Sequence, residues 1–78
     1  MNMKHKEKYQ IIIGSPLDYE ELVAYIHIEG RDVALLNQDE GIDKLRLEFF
    51  DEPKVKEVDY YIFLEALQAA KKKLLLEE

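Results

Sequence analysis

The sequence predicts an α+β domain: an antiparallel β-meander of three or four strands, followed by one C-terminal amphipathic helix packed on one face of the sheet. Three observations carry this expectation. Apolar and polar residues alternate in short runs between residues 9 and 50, glycine-bearing polar turns separate the runs, and after Asp59 the apolar spacing changes to three and four residues. Seventy-eight residues make one such domain, with a thin core and no depth for a substrate chamber.

Tyr9, Ile11 and Ile13 alternate with Gln10 and Ile12 in a first strand, which Gly14, Ser15 and Pro16 close because proline lacks a ladder donor and glycine accepts the turn. Leu22 to Ile28 is the strongest strand, with Leu22, Ala24, Ile26 and Ile28 on one face and Val23, Tyr25 and His27 on the other. Glu29 to Asp32 then turn the chain tightly into Val33–Asn37, so these two strands are expected to pair antiparallel. A second polar turn around Gly41 leads to Leu45, Leu47 and Phe49, alternating with Arg46, Glu48 and Phe50 until Asp51, Glu52 and Pro53 end the run. Lys54–Val58 is a polar connection with Val55 as its apolar contact.

The helix is expected at about residues 59–76. Asp59 suits the N-cap, where a carboxylate accepts from free first-turn amides, and Tyr60, Phe63, Leu67, Ala70 and Leu74 form its apolar stripe. That stripe is expected to pack on Leu22, Ala24, Ile26, Val33, Leu35 and Leu47. Lys71, Lys72 and Lys73 lie near the helix C-terminus, where the macrodipole favours cations. Leu74, Leu75 and Leu76 read equally as helix continuation, interface or terminal addition. Residues 1–8, which contain Lys4, Lys6 and Lys8 but no apolar run, are expected to form a flexible basic tail.

Hydrophobic residues at 47% beside 36% charged residues describe a folded chain. The absence of cysteine removes disulfides and thiolates and fits the cytoplasm, the expected location. Ile11, Ile12 and Ile13 are stopped at once by Gly14, Ser15 and Pro16, too short for a signal peptide, and no run approaches the roughly 18 apolar residues of a membrane span.

The net charge of −6 is unevenly placed: from Asp18 to Asp59 there are thirteen Asp or Glu against five Lys or Arg. Such a segment repels nucleic acid and anionic membrane and attracts basic proteins. Catalytic readings fail in turn. Ser15 is the only serine, and threonine and cysteine are absent; Gly14-Ser15-Pro16-Leu17 lacks the second glycine and the following helix of a nucleophile elbow. His5 lies in the expected tail and His27 on a strand, without the spacing that places two ligands on one face. Asn37, Asp39, Asp43 and Glu48 echo a calcium loop, but its sixth position is Ile42, and Gly41 falls one place early. No enzyme activity, metal or cofactor is expected.

The doublets Glu20-Glu21, Asp39-Glu40 and Asp51-Glu52 flank turns, where solvated loops are their ordinary role and a patch for a basic partner is the alternative. Tyr19, Tyr25, Tyr60 and Tyr61 accompany the acids, and aromatic rings beside fixed carboxylates suit contact with Arg and Lys. Tyr60 and Tyr61 point about 100° apart on a helix, so only one of them can face the core.

The segment Tyr19-Glu20-Glu21-Leu22-Val23-Ala24-Tyr25-Ile26, with Leu47-Glu48-Phe49-Phe50-Asp51-Glu52-Pro53 and Phe63-Leu64-Glu65-Ala66-Leu67, resembles small acidic bacterial immunity proteins. These are the partners of contact-dependent growth inhibition and related polymorphic toxins. The resemblance spans most of the chain through its overall texture. It implies a stoichiometric inhibitor that covers the active site or substrate surface of a basic toxin nuclease. The expected contact pool is Asp18, Glu20, Glu21, Asp39, Glu40, Asp43, Asp51 and Glu52, with Tyr19, Tyr25 and Tyr61 as anchors. The alternative is a general interaction module or a homodimer formed through a sheet edge.

Overall fold

Strands β1 (Tyr9–Gly14), β2 (Val23–Ile28), β3 (Arg31–Asn37) and β4 (Arg46–Phe49) pair antiparallel in sequence order, and helix α1 (Tyr60–Glu77) packs on one face. This computed structural model describes residues 8–52 and 54–77. The expected tail apart from Lys8, together with His5, Pro53 and Glu78, lies outside the described residues. The predicted fold class is the one observed, with four strands in the meander.

Strand alternation sorts the side chains between two faces. Ile11 pairs with Ile26, Ala34 with Ile26 and Leu36 with Leu47, which places Tyr9, Ile11, Ile13, Ala24, Ile26, Ile28, Ala34, Leu36, Leu47 and Phe49 on the helix side. Ala24, Ile26, Ile28, Ala66 and Ala70 have no exposed surface, and Leu74 is 1% exposed. Alanines in both layers let the helix sit close to the sheet, and burying a side chain such as Ile26 stabilises by roughly 1.5–3 kcal/mol.

The turn between β2 and β3 is tighter than Glu29–Asp32. Only Glu29 and Gly30 lie between the strands, with φ of 52° and 82°, the positive values a two-residue type I′ turn requires. The register then shifts between Ile26 and His27: Ile26 faces Ala34, His27 faces Asp32, and Val33 is the extra residue. This bulge corrects the expectation that Val33 and Leu35 share the helix face. Val33 joins the core cluster with Ala34 and Leu36, while Leu35, opposite Tyr25 and Glu48, is buried on the other face.

The Asp59 carboxylate accepts from the N–H groups of Tyr61 and Ile62 at 2.9 and 3.0 Å, the expected cap. Tyr60, however, is 64% exposed and does not belong to the buried stripe. Ala66 takes part instead, flanked by Ile62, Phe63 and Leu67, and Val58 joins Val55 in sealing the core from the connecting segment. Leu74–Leu76 continue the helix, with Leu74 buried and Leu76 exposed. Among the described residues no helix is long and apolar enough to cross a membrane.

Candidate protein-interaction surface

The meander sends two loops to the same end of the sheet: residues 15–22 between β1 and β2, and residues 38–45 between β3 and β4. The Glu29-Gly30 turn, the end of β4 and the start of α1 lie at the opposite end, roughly 20 Å away along strands of six or seven residues.

Side chains from both loops hold the first end together. The Asp39 carboxylate accepts from the N–H of Glu20 at 3.3 Å and of Glu21 at 3.0 Å, and Gln38 Nε2 donates to the Leu22 carbonyl at 3.1 Å. Glu48, on the face opposite the helix, accepts from Tyr19 Oη at 2.8 Å and from Asn37 Nδ2, while Asn37 Oδ1 accepts from the Asp39 N–H at 3.2 Å. Asn37 and Gln38 are only 6% and 4% exposed, so these bonds also satisfy polar groups that would otherwise be costly to bury. Tyr19 therefore reaches from the first loop to β4 across the open face.

This arrangement separates structural from available carboxylates. Asp39 and Glu48 are committed to internal bonds, whereas Asp18, Glu20, Glu21, Glu40 and Asp43 remain exposed beside them. Lys44 and Arg46 are cations at this end, while the Arg31–Glu29 ion pair at 3.9 Å and the contact of His27 Nδ1 with the Asp32 carboxylate at 2.8 Å both lie toward the other. The acidity raises the Tyr19 phenol: its hydrogen bond to Glu48 is the largest cause, followed by burial and the charges of Glu48 and Asp18, and together they push it up to about 12. Leu17 and Ile42, one in each loop, are exposed apolar side chains among these acids.

The remaining residues of the expected pool stand elsewhere. Asp51 and Glu52 follow β4 at the opposite end, and Tyr61, 73% exposed, packs edge-on against Tyr60 in the first helical turn with ring centroids 4.9 Å apart. Tyr25 lies on the open face, stacked on Phe50 at 6.5 Å and so close over Gly14 that a Cβ there would come within 2.7 Å of its ring. The opposite end is mixed in charge. An open cavity of about 610 Å³ there is lined by Glu29, Glu57 and Asp59 together with Arg31, Lys54, Lys56 and Val58.

Sequence reasoning missed Glu48, Asn37 and Gln38 as the fixings of the loops, and Leu17 and Ile42 as their apolar tips. The last two did leave a signal, since each is a lone large apolar residue inside a polar turn. Among the described residues no group of three or more His, Cys, Asp or Glu is arranged to hold a metal ion. Compared with family models, curated proteins and solved structures, the chain matches none.

Proposed function

We propose that the protein is a non-enzymatic binding module of the cytoplasm that docks its two-loop end on a basic protein surface and occludes it. In its specific form it is an immunity protein, covering the active site or substrate surface of a basic toxin nuclease. One observation carries the reading: Asp39 ties loop 38–45 to the backbone of Glu20 and Glu21, so acids distant in sequence are held on one end of a rigid sheet, beside Leu17 and Ile42. A nuclease groove is shaped and charged for phosphates, and preorganised carboxylates can fill it with complementary potential while apolar tips supply contact area. Occlusion of this kind requires no chemistry from the inhibitor.

The test pairs the purified protein with a basic nuclease domain encoded beside it. Charge reversal of Glu20, Glu21 and Glu40 to Lys is expected to slow association by about tenfold or more and to restore nuclease activity, and added salt should slow the unmodified pair in the same way. Binding that ignores both salt and the triple reversal would refute the acidic surface as the recognition element.

A further inference from the structure

The two edges of the sheet are built differently. β4 is four residues long and carries Arg46 and Glu48, charges of the kind that protect an exposed edge. β1 is six residues long, Tyr-Gln-Ile-Ile-Ile-Gly, with no charge, proline or bulge, and among the described residues no strand pairs with its outer side. The Lys8 carbonyl accepts from the Glu29 N–H at 2.9 Å, on the β2 side. Because both polar groups of an antiparallel residue point the same way and the direction alternates, Gln10 and Ile12 also face β2, while Tyr9, Ile11 and Ile13 aim their N–H and C=O groups outward.

We propose that the outer edge of β1 binds β1 of a second copy of this chain, antiparallel about a two-fold axis at Ile11, forming one continuous eight-stranded sheet. The outward residues then pair Tyr9 with Ile13, Ile11 with Ile11 and Ile13 with Tyr9, each pair exchanging two backbone hydrogen bonds. Charge favours this occupant. The strand itself is neutral, so no like charges face each other across the new pairing, and it has exposed Lys8 at one end and the turn bearing Asp18 at the other. Antiparallel pairing brings each end toward its opposite in the second copy. The half-buried Tyr9, Ile11 and Ile13 would cover one another on the helix side, and Ile12, 42% exposed, would lie beside Gln10 of the second copy. This edge meets the two-loop end only at the turn bearing Asp18, which the triple reversal of Glu20, Glu21 and Glu40 leaves unchanged, so either proposal can fail without the other.

Amide hydrogen exchange at several protein concentrations, read together with sedimentation equilibrium, tests the pairing. The N–H groups of Gln10 and Ile12 should be protected at every concentration. Those of Tyr9, Ile11 and Ile13 should exchange quickly in dilute protein and slow by about tenfold or more as the mass doubles. Ile12→Lys, on the open face and outside the core, should leave the circular dichroism unchanged and raise the dimer dissociation constant by at least about tenfold, since the two new cations would be diagonal neighbours. A monomer at all concentrations to about 1 mM, or a dimer in which the three outward amides stay unprotected, overturns the proposal. Slowing of those amides only when a different protein is added overturns it too, and assigns the edge to a foreign strand.

Discussion

The two ends of the sheet solve the same problem by different means. At the hairpin end the chain reverses within two residues, and the helix start is capped locally by Asp59, so backbone geometry and near neighbours suffice. At the other end two long loops have local turns of their own, at Pro16–Tyr19 and Gln38–Lys44, but are tied to each other and to the sheet by bonds between residues far apart in sequence, through Asp39, Gln38, Asn37 and Glu48. The difference teaches where function can be carried. A tight turn leaves little surface to vary, whereas cross-bonded loops present a broad, fixed and acidic surface whose outward side chains are free of structural duty.

The sharpest way to break this contrast is to remove the equivalent carboxylate at each end. Asp39→Ala leaves the Glu20 and Glu21 amides without their acceptor and should cost about 1.5–2 kcal/mol, with faster amide exchange confined to loops 15–22 and 38–45. Asp59→Ala removes a helix cap and should cost about 1 kcal/mol, with faster exchange in the first turn of α1 and unchanged loops. Denaturant titration and residue-level exchange read both. If Asp39→Ala loosened both ends alike, the loops would not be held separately.

The contrast also explains what was legible in the sequence. Strand faces, the Asp59 cap and most of the helix stripe follow from spacings of two, three and four residues, so they could be read directly. Leu35 could not, because the bulge at Val33 arises only when β3 pairs with β2, and a one-residue shift moves a side chain to the opposite face. Tyr60 follows the helical period yet is exposed, since Val55, Val58, Ile62 and Phe63 already seal that end of the core. The expected contact pool divides for a similar reason. Asp51, Glu52 and Tyr61 look equivalent to the loop acids and anchors in composition, and only the topology shows that they emerge at the other end.

A smaller effect, with a pH signature, sharpens the account of the two-loop end. Tyr19 is raised from 10.0 to about 12, chiefly by its hydrogen bond to Glu48, so the folded state holds the phenolic proton more tightly than the unfolded chain does. The resulting stabilisation is fully present below pH 10 and is lost as pH rises from there through about 12. Tyr19→Phe should cost about 1 kcal/mol at neutral pH and should flatten this alkaline decline. Denaturation midpoints measured from neutral pH to pH 12 in both proteins decide it, and parallel alkaline slopes would show that the Tyr19 proton is not coupled to folding.

The smallest effect lies at the hairpin end, where Glu29 takes a positive φ that side-chain-bearing residues adopt at a cost. Asparagine tolerates this conformation better, and Asn-Gly is the preferred pair for a type I′ turn. Glu29→Asn also gives up the contact with Arg31, but at 3.9 Å between exposed groups that contact contributes little. The substitution should therefore stabilise by up to about 1 kcal/mol, raising the thermal midpoint by about 4 °C, while exchange in the two acidic loops stays unchanged. A gain at the turn that also slowed exchange in loops 15–22 and 38–45 would mean that strain is transmitted along β2 and β3, and the two ends would have to be treated as one coupled unit.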